Sequence, residues 1–325
     1  MKLDFHTHFY TAAYLQAVAN GQTKAQLVQD EMGRKLLTAG DYSLLAPAHD
    51  DPEVVLAAMD RHGIERQLLS FTIPGVHVEE AAQGIRLAQI VNEGLAEVVR
   101  HYPEHFRALA ALPLQAPEAA VVELERAVTQ LGLSGAQLFS NVNGRSPADP
   151  AFWPLYAQAE ALDVPLFIHP TTPVHVDTMR QFRLVPMAGF LFDTTLAALQ
   201  LVFQGVMAEF PKLKIVLGNL GGTIPYIAGR VDQAYLAYEE AQGLGERPST
   251  YLKKMYYDTA GMPDTNALQL AIHFAGVGQI IFGTDYPQQI GDVAKSIKVV
   301  ETLDIDEADK QKVLGLNGAR LLKWV

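Results

Sequence analysis

The sequence contains no cysteine. That absence removes disulfides, thiolate zinc sites, iron–sulfur clusters and cysteine nucleophiles together. Any metal must therefore be held by His, Asp, Glu or the backbone. Basic residues are scarce: 25 Lys and Arg stand against 36 Asp and Glu, a formal net charge of −11 with a pI near 5.3. So acidic a chain suits neither nucleic acid nor anionic membranes, and neither is expected as a partner. No apolar run reaches the roughly 20 residues of a membrane span. The most apolar stretch, residues 190–210, is broken by Asp193, Gln200, Gln204 and Glu209 and reads as a buried helix. Residues 1–6 lack the apolar segment of a signal peptide, so a cytoplasmic protein is expected. No Gly-x-Gly-x-x-Gly follows any strand, which disfavours a dinucleotide-binding sheet. Charged residues make up only 19% and hydrophobic ones 49%, the composition of a well-buried globular chain.

What the chain does have is alternation. Short apolar or β-branched runs at 3–8, 66–72, 106–112, 135–138, 165–169, 214–217, 255–258 and 279–283 are each followed by a segment of helical period. The helices are expected at 52–62, 79–102, 117–131, 150–162, 194–209, 224–242, 264–274 and 292–302, with a last one at 307–322. Asp264 is placed to cap its helix, and Pro225 falls in a first turn. Eight such units predict a single (β/α)8 TIM barrel over residues 1–325. Residues 10–51 and 170–193 exceed the repeat and read as insertions after strands 1 and 5, on the face where a barrel builds its site. No internal repeat or domain linker is visible.

Chemistry collects at the strand ends. His6 and His8 are two apart on strand 1, so both imidazoles are expected to face one side. His169 ends strand 5, kept extended by Pro170. Asp285 follows strand 8, where an unpaired carboxylate is costly to bury. Taken singly, each fits an ordinary polar residue: a strand end, a hydrogen-bonded core histidine, a capping Asp. Together they converge on one barrel mouth as three imidazoles and a carboxylate. Such a donor set suits zinc, with manganese and iron as further options. Gly221 and Gly222, after strand 6, read equally as an anion-binding approach or a tight turn. Arg230 reads as a carboxylate clamp or a solvated charge. His77 and His175 lie in loops on the active face and are candidate substrate contacts. His62, His101, His105 and His273 read as ordinary helix-end or surface residues.

On these residues the chain resembles the metal-dependent amidohydrolase superfamily, in the decarboxylase branch that includes the aminocarboxymuconate semialdehyde, resorcylate and 6-methylsalicylate decarboxylases. The resemblance runs from His6 to about Asn317. It rests on His6-x-His8, Leu69-Ser70-Phe71-Thr72-Ile73-Pro74-Gly75-Val76-His77, Ile168-His169-Pro170-Thr171, Phe192-Asp193-Thr194-Thr195, Gly221-Gly222-Thr223-Ile224-Pro225 and Gly283-Thr284-Asp285-Tyr286-Pro287. It implies His6, His8, His169 and Asp285 as ligands of one divalent ion, with Asp285 also a proton donor or acceptor. Arg230 matches an arginine that reaches the substrate of a neighbouring subunit, which implies a homodimer or homotetramer. The branch usually has His where this chain has Asn219. Asn219 is therefore either a site that needs no proton carrier or a natural or engineered loss of one, and it is expected beside the ion rather than on it.

The resemblance implies non-oxidative decarboxylation of a small aromatic or unsaturated carboxylic acid of the hydroxybenzoate kind. A hydrolase or hydratase of a small lactone, amide or unsaturated acid is the alternative. A barrel that binds an acid without turnover is the third reading, kept open by Asn219.

Overall fold

The computed structural model describes residues 1–29, 35–38, 43–44 and 47–324. Its barrel strands are largely buried on both faces, as parallel strands covered by helices must be. In Leu3–His8 (β1) all six residues are buried. The remaining barrel strands are Arg66–Ser70 (β2), Phe106–Ala108 continued by Ala110–Ala111 (β3), Ala136–Phe139 (β4), Pro165–His169 (β5), Lys214–Leu217 (β6), Tyr256–Asp258 (β7) and Ile280–Ile281 (β8). Each pairs in parallel with the next, β3 changing partner at Leu109. The ring closes where Phe5 N–H donates to Phe282 O at 2.9 Å and His8 N–H to Tyr286 O at 2.8 Å. The predicted TIM barrel is therefore the observed fold, and β1, β5 and β6 have the expected ends.

The register of β1 on β2 slips between Asp4 and Thr7, one extra residue lying on β1. This bulge breaks the two-residue alternation. Phe5 and His6, neighbours in sequence, both pack on Phe167, with ring centroids 6.2 and 4.9 Å away. Phe5 thus joins Leu68, Leu109, Phe167, Val216 and Ile281 in the barrel's apolar interior, and His6 opens onto the mouth above. The far end is plugged by Trp324, with Arg66 and Arg107 stacked on its ring at 4.8 and 4.6 Å.

The helices Pro52–His62, Ala81–His101, Pro117–Thr129, Trp153–Leu162, Phe190–Phe203, Ile224–Ala237, Thr265–Ala275 and Val293–Glu301 wrap the barrel. Asp51, Asp264 and Asp292 cap three of them by accepting first-turn N–H bonds, each worth about 1 kcal/mol. Ala81–His101 buries Leu87, Val91 and Leu95 four residues apart, each side chain contributing about 1.5–3 kcal/mol. The helix expected at 194–209 begins instead at Phe190 and is split by Gly205, which adopts φ +86. Gln181–Phe203 is long and apolar enough to cross a membrane by length and composition alone, but half of that window is packed inside the fold, as in a core helix.

Both insertions stand at the mouth. After β1 come Ala12–Ala19 and a small antiparallel sheet of Gln26–Gln29, Lys35–Thr38 and Ser43–Leu44. After β5 come short turns at Val176–Met179 and Gln181–Arg183 that run through a wide turn, Val185–Gly189, into Phe190–Phe203.

Candidate metal centre

His6, His8, His169 and Asp285 meet at the mouth, with one ligand atom from each within 4.8 Å of every other. The three imidazole centroids stand 4.9–5.1 Å apart. Asp285 Oδ1 lies 2.9 Å from His8 Nε2 and 3.5 Å from His6 Nε2. Asp285 adopts φ +66, and its N–H donates to His6 O at 2.9 Å, which ties the end of β8 to the bulge of β1. That approach requires Gly283, where a Cβ would stand 2.8 Å from the Cβ of His6.

Each imidazole is held from behind by its Nδ1. His6 Nδ1 is 2.7 Å from Asp258 Oδ2 and His169 Nδ1 is 2.6 Å from Pro170 O. His8 Nδ1 is 3.2 Å from Ser70 Oγ, whose own proton goes to Thr7 O at 2.8 Å. Carboxylate, carbonyl and a hydroxyl already donating elsewhere can only accept, so each of the three rings, when neutral, carries its proton on Nδ1. Their Nε2 lone pairs are left for the centre. His6 Nε2 is buried with no hydrogen-bond partner. An orphaned acceptor among two further imidazoles and a carboxylate, each backed by an outer partner, is the arrangement of a divalent-ion site, and the residues fit one.

The electrostatics are divided. Burial opposes a charge on His6, but the Asp258 carboxylate, with Asp285 and Asp4 beyond it, outweighs burial and raises its pKa to about 9. His8 and His169 are pushed well below the usual imidazole value, by burial first and then by the neighbouring histidines. Burial raises Asp285, partly offset by the histidines around it. A divalent cation here would favour neutral imidazoles and an ionised Asp285.

The centre forms one wall of a cavity of about 840 Å³. His8, His169, Asp285, Asn219 and His77 line it, with Thr72, Asn141, Asn143, Arg180 and Arg183. Much of the remaining wall is apolar: Ile73, Val174, Met187, Phe190, Met262 and Ile290. Asn219 adopts φ +54. Its N–H donates to Asp258 Oδ1 at 2.8 Å and its Nδ2 to Ala260 O at 3.0 Å. It lies on the cavity wall and outside the four converging ligands. His77 is 2% exposed and packs on Phe139 at 4.4 Å; burial lowers its pKa to about 4, and its Nδ1 has no partner.

The structure does not bring His175 or Arg230 to this cavity. Both are exposed, His175 at the edge of the β5 insertion and Arg230 on the outer surface of Ile224–Ala237. Gly221 and Gly222 do not line it either. A Cβ at Gly221 would meet the Tyr257 ring at 2.7 Å and one at Gly222 the Leu191 carbonyl at 2.0 Å, so this pair makes a tight turn against the protein's own chain. Asp258 and Ser70 escaped the sequence reading. Both stand at strand ends, the signal that singled out Asp285.

An amidohydrolase family model matches residues 3–324. The gamma-resorcylate decarboxylase of Rhizobium sp. (strain MTP-10005) is 33% identical over 92% of this chain and 94% of its own. Among solved structures, the 5-carboxyvanillate decarboxylase of Sphingomonas paucimobilis is 30% identical with a TM-score of 0.87, covering 99% of this chain and 98% of that one. A dihydroxybenzoic acid decarboxylase of Polaromonas sp. JS666, with bound manganese and the inhibitor 2-nitroresorcinol, is 29% identical with a TM-score of 0.82, covering 99% and 96%.

Proposed function

We propose, from the premise that the chain belongs to the amidohydrolase family, that it is a metal-dependent carboxy-lyase acting without oxidation on a small hydroxybenzoate-like acid. The observation that carries this reading is Asp285: a partly buried carboxyl group set among three ion-facing imidazoles on the wall of a largely apolar cavity. The named relatives, all decarboxylases of aromatic acids, support it.

A divalent ion bound by His6, His8, His169 and Asp285 would supply positive charge to hold and orient an acid's carboxylate and adjacent hydroxyl. The chain's own residues supply the rest. The apolar wall takes the ring and excludes water from it. Asp285, ionised beside the ion, would first take a proton from the substrate's hydroxyl or from solvent and then carry it to the ring carbon that bears the carboxylate. The carbon–carbon bond then breaks, its electron pair returns to the ring, and CO2 leaves. Asp285 is left ionised again, and solvent replaces any proton taken from the hydroxyl. General-acid help of this kind is worth roughly 10²–10⁴-fold. Zinc is the ion we propose for three imidazoles and one carboxylate; manganese, bound in the Polaromonas enzyme, is the rival.

Assembly is part of the proposal. Arg230 is exposed beside Tyr226, which is 81% exposed, and Phe192 and Leu196 are exposed on the preceding helix. This face suits a second copy, into whose cavity Arg230 would reach, in a homodimer or homotetramer. A cytoplasmic setting accords with the cysteine-free composition.

Metal analysis of the purified protein, followed by CO2 release from 2,6-dihydroxybenzoate, salicylate and 5-carboxyvanillate, tests the reading. One divalent ion per chain and CO2 stoichiometric with the decarboxylated phenol are expected. In deuterated water the phenol should carry deuterium at the carbon that lost the carboxylate. Acid release from a lactone or amide panel with no CO2 from any acid would replace this reading by the hydrolase. His8→Ala should lower metal content and activity together.

A further inference from the structure

Asp258 makes bonds on two sides. Its Oδ2 is 2.7 Å from His6 Nδ1, and both side chains are 0% exposed. Its Oδ1 accepts the N–H of Asn219 at 2.8 Å and that of Ala260 at 3.0 Å. One buried carboxylate therefore grips an ion-facing imidazole with one oxygen and with the other the backbone of the loop that carries Asn219. We infer that Asp258 is a positioning residue that sets the tautomer of His6, and with it the affinity of the centre for its ion, while pinning the Asn219 loop beside that ion. The inference rests on the metal reading of the site.

The reasoning is one of donor and acceptor counting. All three partners of Asp258 present N–H groups, so the residue must accept on both ends. Only a carboxylate does that. Glu has the chemistry but is a methylene longer, in a space where Asp258 is wholly enclosed. Asn has the size but only one accepting end. Its oxygen gains two backbone bonds by facing Asn219 and Ala260 and only one by facing His6, so the first orientation is preferred. Its NH2 then points at His6 Nδ1, which must accept. The proton of a neutral His6 moves to Nε2, the atom otherwise orphaned and turned to the centre. His6 would then have to lose that proton or turn before it could bind an ion. Outer partners of this kind are worth 10–100-fold in metal affinity.

The coupling to Asn219 follows from the backbone. Asn219 and Leu220 both adopt left-handed φ, +54 and +53, a conformation that is unfavourable for a side-chain-bearing residue unless its surroundings hold it. The bond from Asn219 N–H to Asp258 Oδ1 is one of those restraints. The same carboxylate thus sets the direction of one ligand and the position of one cavity-wall residue.

The test uses the full-length protein, stripped with a chelator and titrated calorimetrically with Zn²⁺ and with Mn²⁺, as wild type and as Asp258→Asn. The expected result is binding 10–100-fold weaker in Asp258→Asn, with a far-ultraviolet circular dichroism spectrum like that of the stripped wild type. Affinities within twofold of each other would overturn the inference while leaving the metal reading intact. No binding by the wild type would overturn both. A second measurement does not depend on the variant folding: nitrogen-15 spectra of the zinc-loaded wild type. They should show His6 with a proton on Nδ1 and the metal on Nε2, and a His6 bound through Nδ1 would sink the proposal.

Discussion

Ser70 Oγ stands 3.2 Å from His8 Nδ1 and can only accept from it, because its hydroxyl proton is already given to Thr7 O. Two neighbouring strand ends therefore lock one imidazole. Ser70→Ala should leave a buried N–H without an acceptor, at about 1–3 kcal/mol. We expect a lower melting temperature and roughly tenfold weaker ion binding, read by thermal unfolding and calorimetry. An unchanged affinity would show that His8 is oriented by packing alone.

His77 should make stability sensitive to acid. Burial lowers its pKa from 6.5 to about 4, so the folded state favours the neutral ring. That contribution is fully present above pH 6.5, is lost progressively as pH falls, and is gone below about pH 4, a total of about 3 kcal/mol. His77→Gln removes the titration. Denaturant unfolding at pH 7.5 and 4.5 should show the wild type losing more stability than the variant on acidification. Equal losses in both proteins would refute the assignment.

Asn219 is held in a left-handed conformation that histidine also adopts more readily than most residues. Asn219→His is therefore expected to fold. It should place an ionisable group on the cavity wall, add an ionisation near neutrality to the pH–rate profile and raise turnover by roughly 10²-fold. Identical profiles and rates in both proteins would mean that Asp285 alone manages the proton.

Arg230 is exposed and does not line the cavity beside the metal centre, so Arg230→Ala should unfold like the wild type. It should nevertheless lower kcat/KM by tenfold or more if it completes a neighbour's site. Tyr226→Asp, on the same surface, should shift sedimentation towards the monomer and lower activity in step. Full activity in a monomeric Tyr226→Asp protein would remove the second copy from the reaction.

The barrel and the four ion-facing side chains could be read from sequence for one physical reason: both follow from short-range periodicity. A strand buried on both faces is an apolar run whatever it pairs with, and in a parallel barrel all strand ends share one mouth. Thus the positions of His6, His8, His169 and Asp285 at strand ends by themselves bring the four to one mouth. Other features depend on contacts between residues far apart in the chain. The bulge that turns both Phe5 and His6 inward exists only because β1 is registered on β2 and β8. Asp258 ends its strand much as a capping Asp would, and only folding brings it to His6, 252 positions away. Gly221 and Gly222 fit a ligand approach and a tight turn equally well as sequence, and only the packing of Tyr257 and Leu191 against them decides for the turn. His175 and Arg230 sit in suitable segments but are exposed and do not line the cavity, because loop direction and the exposed surface of a helix are set by tertiary packing and not by local pattern. Sequence periodicity determined which side chains could meet at the mouth. Tertiary structure decided which atoms lie behind them, and so which nitrogen of each imidazole is left for the ion.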